Sequence, residues 1–126
     1  MSGIVVDVPS GGAFATIVAL TDNTTSMYTS TGGGTLGAGE HAEVAAATHR
    51  LLAEVQRHLD QFADDDDRQL PPAGLVRLHV LTPTNTRWAD VPDGAFWGRE
   101  GHPLVPVIAH VQTVIAAIRT VSPADT

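Results

Sequence analysis

The chain alternates short β-branched runs with longer amphipathic stretches, and the period of each predicts its conformation. Residues 13–21, AFATIVALT, are rich in β-branched and small apolar side chains, and Asp22-Asn23-Thr24-Thr25 separates them from SMYTST. This is the pattern of two strands joined by a tight turn. Over residues 40–62 the period changes: Val44, Leu51, Leu52, Val55, Leu59 and Phe62 share one stripe, while Glu43, Arg50, Glu54, Arg57 and Gln61 mostly take the other side. An amphipathic helix over that whole stretch is predicted. Residues 75–82, LVRLHVLT, return to a period of two, with Val76, Leu78 and Val80 facing one way and Arg77 and His79 the other. Pro83-Thr84-Asn85 then turns the chain into residues 86–91, a second hairpin. Leu104, Val107, Ile108, Val111, Ile115 and Ile118 mark a closing helix, which Pro103 or Pro106 suits as a first-turn residue.

The element order is β-β-α-β-β-α. An apolar run at residues 4–8, ended by Pro9-Ser10-Gly11-Gly12, adds an edge strand or a loosely held arm at the front. Two hairpins separated by a helix, with a second helix at the end, predict an α+β fold. Its antiparallel sheet has four to five strands, with two helices packed on one face. A chain of 126 residues with 43% hydrophobic content suits a single domain over residues 1–126. Within it, residues 63–74, with Asp64-Asp65-Asp66-Asp67 and Pro71-Pro72, read as an acidic, proline-containing solvated loop. Contiguous carboxylates lack the alternating spacing and glycine turn of a calcium loop.

Charge narrows the partners. The net charge is −7, the chain has no lysine, and its seven arginines (Arg50, Arg57, Arg68, Arg77, Arg87, Arg99, Arg119) are scattered and outnumbered two to one by carboxylates. A nucleic-acid partner is not expected, because a phosphate backbone requires clustered basic charge. Schiff-base and Walker-type lysine chemistry are excluded outright. With no cysteine, disulfides and thiolate chemistry are excluded too, and the opening Met1-Ser2-Gly3 lacks signal-peptide character. A cytoplasmic protein is expected. Membrane association is not, since residues 13–20 are too short to span a bilayer and residues 104–118 are interrupted by Pro106, His110 and Gln112.

The most specialised segment is residues 31–41, where Gly32, Gly33, Gly34, Gly37 and Gly39 precede Glu40 and His41. So many glycines cost backbone entropy on folding and contribute little packing, so an unusual path or a close approach must compensate. Gly32-x-Gly34-x-x-Gly37 formally satisfies the dinucleotide fingerprint, but the βαβ context is missing and Asp60 falls within or at the end of the helix rather than at the end of a second strand. Two readings stand. In one, successive glycine amides with Glu40 and His41 bind an anion or small molecule, as a binding protein or enzyme would. In the other, the segment is a strand-to-helix connection in which Glu40 stabilises the helix start; a carboxylate already in the first turn favours it.

The histidines form no motif. Glu54 and His58 share a helix face and His41 and His49 are roughly aligned, but a third convincing ligand is lacking, so no metal is assigned. His79, His102 and His110 have no serine or carboxylate partner at motif-like spacing, so no catalytic residue is assigned and no cofactor is implied. Trp88, Phe96 and Trp97 supply most of the aromatic area, as interface anchors or as a plug at one end of the core. Val105 and Val114 add apolar surface to the last helix beyond what one sheet face needs.

Over residues 13–121 the order of elements, with SMYTSTGGG in the second strand of the first hairpin, resembles the roadblock / dynein light chain group of profilin-like domains. The triple glycine Gly32-Gly33-Gly34 and Gly37-Ala38-Gly39-Glu40-His41 depart from that group's pattern, and the group's leading helix has no counterpart among the first residues. The resemblance implies a domain that dimerises and regulates a protein partner, often a small GTPase, without catalysis. The pattern from Ser26 to His41, with His102-Pro103-Leu104, is also similar to an uncharacterised bacterial family of similar length, which implies no activity. The expectation is a non-enzymatic homodimeric interaction domain, with Trp88, Trp97, Val105 and Val114 as its candidate interface.

Overall fold

The computed structural model describes residues 2–10, 13–22, 24–30, 34–35, 38–63 and 74–121. Among these residues six strands, β1 (Gly3–Ser10), β2 (Ala13–Leu20), β3 (Thr25–Thr29), β4 (Gly34–Thr35), β5 (Leu75–Leu81) and β6 (Thr86–Pro92), form one sheet in the order β4-β3-β2-β1-β5-β6. Every neighbouring pair is antiparallel, giving the α+β class expected from the two hairpins. The helices are α1 (Ala42–Arg57), the single turn α2 (Asp93–Phe96) and α3 (Val105–Val121).

The first strand corrects the sequence reading. It is neither an edge nor an arm: β1 pairs with β2 along its whole length and with β5 from Gly3 to Asp7, so it lies inside the sheet. Its alternation explains why. Ile4, Val6 and Val8 are buried on one face, and both backbone edges find ladder partners, which an interior strand requires. The two-residue β4 was also unforeseen; it adds a short outer strand to β3.

Ile4, Val6, Ile17, Ala19, Val76, Leu78 and Val80 cover one face of the sheet and join Val44, Leu51 and Val55 of α1 and Val107, Val111 and Ile118 of α3 in a single core. A hydrogen bond of 2.9 Å between the buried hydroxyls of Thr25 and Thr48 ties β3 to α1 on that side. Val114 is fully buried in this core, which removes it from the candidate interface: α3 needs it, because the helix packs against α1 as well as the sheet. The predicted helix over 40–62 is shorter at both ends, flanked by 3-10 turns at Ala38–Glu40 and Leu59–Gln61. The second turn still delivers Phe62 to the core, so the hydrophobic stripe outlasts the α-helical hydrogen bonding. In α3, Pro106 is the second residue, where a missing N–H costs no intrahelical bond.

Candidate functional site

The strand registers place the odd-numbered residues of β1 and β5 on the sheet face turned away from the core. Asp7 lies between Thr16 and Arg77, and Arg77 lies opposite Asp90. One residue pair along, Val5 lies between Val18 and His79, and His79 lies opposite Trp88. Four strands thus contribute one polar cluster, assembled by pairing alone.

Each charge in the cluster has a partner. Thr16 Oγ1 donates to Asp7 Oδ1 at 2.8 Å, and His79 Nε2 lies 3.1 Å from Asp7 Oδ2. Arg77 makes a two-pronged contact with Asp90, from Nε at 2.6 Å and from its terminal nitrogen at 2.9 Å, while its guanidinium carbon sits 4.4 Å above the Trp88 ring. Asp7, Arg77 and His79 are all buried. Burial is the largest influence on Asp7 and disfavours its ionised form. Hydrogen bonds from His79 and Thr16, with the positive charge of His79 and Arg77, together outweigh it and hold the carboxyl below its ordinary range. A planar guanidinium suits this place, since it can grip a carboxylate with two donors and stack on an indole at once.

Sequence reasoning set Trp88 and His79 apart but did not find their partners. Asp7 lies 72 positions from His79, far outside any motif window. The available signal was a carboxylate of odd parity inside an apolar strand, matching the odd parity of Arg77 and His79.

The glycine segment is placed in part. Gly32, Gly33 and Gly37 lie outside the described residues. Gly34 is in β4, where a Cβ would meet the Met27 carbonyl oxygen at 2.6 Å, so close backbone approach accounts for this glycine. Gly39 and Glu40 belong to the 3-10 turn, and His41 is the N-cap of α1 with extended backbone and no side-chain cap bond. Glu40 and His41 are exposed.

Three further histidines have structural contacts. The Leu104 amide donates to His102 Nδ1 at 3.1 Å, which helps set the approach to α3. His58 lies 3.6 Å and His110 3.8 Å from the Glu54 carboxylate, linking α1 and α3. Among the described residues no group of three or more histidine or carboxylate side chains is placed to hold a metal ion.

Trp97 and Val105 of the candidate interface are exposed and lie together on a cleft of about 530 Å³ between α2 and α3. Trp88 is half-buried on the opposite side of the molecule's sheet, under Arg77. The four residues therefore do not form one surface.

Comparison of the chain with protein-family models, with curated proteins and with solved structures gave no match. Among the described residues no helix is long and apolar enough to cross a membrane.

Proposed function

We propose that the chain is a non-enzymatic association domain that works as a homodimer, two copies stacking through the sheet face that carries Trp88. One observation carries the reading: that face has no helix layer of its own among the described residues, yet it combines half-buried Val5, Phe14, Val18, Leu20 and Leu81 with a polar cluster whose charges are paired internally. Self-association of a chain with a net charge of −7 brings like charges together unless the contact surface carries none that are unpaired. Among the described residues the exposed carboxylates sit elsewhere, with Asp22 in a turn, Glu40 in the 3-10 turn before α1, Glu43 in its first turn, Asp60 beyond its end and Glu100 after α2. Six strands of this length give a face roughly 25 Å on a side. That is of the order of the roughly 800 Å² per partner that specific dimers bury.

The reading agrees with what the resemblance to roadblock domains implies, a dimer that regulates a protein partner rather than an enzyme. A cytoplasmic setting belongs to the same reading, and a chain without cysteine is compatible with it.

Sedimentation equilibrium at micromolar concentration tests it, with a dimer expected. Val18→Lys places a cation in the middle of the face and is expected to give a monomer with an unchanged circular dichroism spectrum; Tyr28→Lys, at an exposed position of the same face, guards against misfolding of the first variant. A monomeric wild-type chain, or two variants that remain dimeric, removes the reading.

A further inference from the structure

The cleft between α2 and α3 lies apart from the proposed dimer face. Its walls are mainly apolar: Phe96 and Trp97 of the α2 turn face Val105, Ile108 and Ala109 of α3. A volume of about 530 Å³ falls in the range of small-molecule sites.

The aromatic wall is fixed before any ligand arrives. Trp97 Nε1 donates to Asp93 Oδ1 at 3.0 Å, and its ring meets Phe96 edge-on with centroids 5.0 Å apart. Gly98, with φ of +80°, turns the chain directly after Trp97, a backbone path that favours glycine. Gln112 donates from Nε2 to the Phe96 carbonyl at 3.0 Å, pinning α2 to α3 across the floor. A ligand therefore has little protein ordering to offset.

Charge selects the class of ligand. Among the described residues Glu100 is the one charged side chain on the lining, and its carboxyl folds toward Gly94, where a Cβ would lie 3.1 Å from it. Asp93 is engaged by Trp97 and by Arg99, whose terminal nitrogen lies 3.0 Å from it, whereas Glu100 has no ion-pair partner among the described residues. Glu100 is exposed, so a neutral molecule leaves its carboxylate to water and gains nothing from it, whereas an anion in the cleft meets it unfavourably. A cation satisfies it and gains a second favourable contact from the exposed indole of Trp97.

We propose that this cleft binds a small organic cation, an ammonium group on an apolar body, with the ammonium at Glu100 and the apolar part against Trp97 and Val105. Primary and quaternary ammonium ions share the required chemistry.

Titration of the full chain with benzylammonium and with benzyltrimethylammonium, followed by tryptophan fluorescence and calorimetry, tests the proposal against benzyl alcohol and benzoate as neutral and anionic relatives. Saturable binding of at least one cation at millimolar concentration or below is expected, roughly tenfold tighter than benzyl alcohol. Benzoate is expected not to bind. Glu100→Gln should bring the cation down to the affinity of benzyl alcohol with an unchanged melting temperature, and Trp97→Ala should weaken cation and alcohol together. Equal affinity for cation and alcohol, no saturation by either cation, or full cation affinity in Glu100→Gln overturns it. Saturation by a lysine-containing peptide without any response to the free ammonium ions overturns it as well, in favour of a protein partner.

Discussion

His79 Nε2 and Asp7 Oδ2 lie 3.1 Å apart although 72 positions separate the two residues, and the contact joins the first strand of the chain to the fifth. The Asp7 carboxyl is held below the ordinary carboxylate range in the folded protein, despite burial, by the hydrogen bonds and positive charge around it. A lowered folded-state value means that the unfolded chain takes up the proton first as pH falls. The stabilising contribution is complete above the unfolded value, near 3.8, and is lost as pH drops through the folded value. Unfolding free energy measured by urea titration should therefore fall from pH 5 toward pH 2. Asp7→Asn should start about 1–2 kcal/mol lower at neutral pH. Its acid decline should also be shallower; an identical acid slope in the two proteins contradicts the assignment.

Much of this arrangement was legible in the sequence, and what was not has a physical cause. The strand 75–82 alternates Val76, Leu78 and Val80 with Arg77 and His79, so two unlike faces followed directly from side-chain period. The position of β1 did not, since Pro9 and the glycines after it signal the end of a strand and say nothing about which neighbours it finds; its place between β2 and β5 is decided by pairings far apart in the chain. The Asp7–His79 and Arg77–Asp90 contacts depend on that same order. Trp97 was recognisable as an interface anchor or core plug and Val105 as surplus apolar surface, but Glu100 becomes notable only once the turn after α2 folds it toward Gly94.

Val105 and Val114 differ in a way their sequence positions conceal. Both lie on α3 and both exceed the main hydrophobic stripe, yet Val114 is completely buried while Val105 is 39% exposed on the cleft. Truncation of Val114 removes two buried methyl groups and leaves a cavity among residues that cannot fully collapse. Val114→Ala is expected to cost about 2 kcal/mol of stability. Val105→Ala should stay within about 0.5 kcal/mol of the parent. Urea unfolding of the two variants side by side checks the pair, and equal losses contradict the placement of Val114 in the core.

Gly34 offers a separate test of what the glycine-rich segment does. In β4 it lies opposite Tyr28, and Thr35 lies opposite Met27. A Cβ on residue 34 would stand 2.6 Å from the Met27 carbonyl oxygen and 3.2 Å from the Tyr28 Cα, both backbone atoms that cannot swing aside. In Gly34→Ala the short outer strand must therefore move off β3, at a cost of about 1 kcal/mol, the size of one net backbone hydrogen bond. Amide exchange should quicken along β3 while the interior amides of β1 and β5 keep their protection, because only the outer edge of the sheet is released. A glycine kept for ligand contact predicts the reverse: unchanged exchange and stability, with loss confined to binding. Unaltered exchange along β3 in Gly34→Ala would show that close approach is not what residue 34 is for.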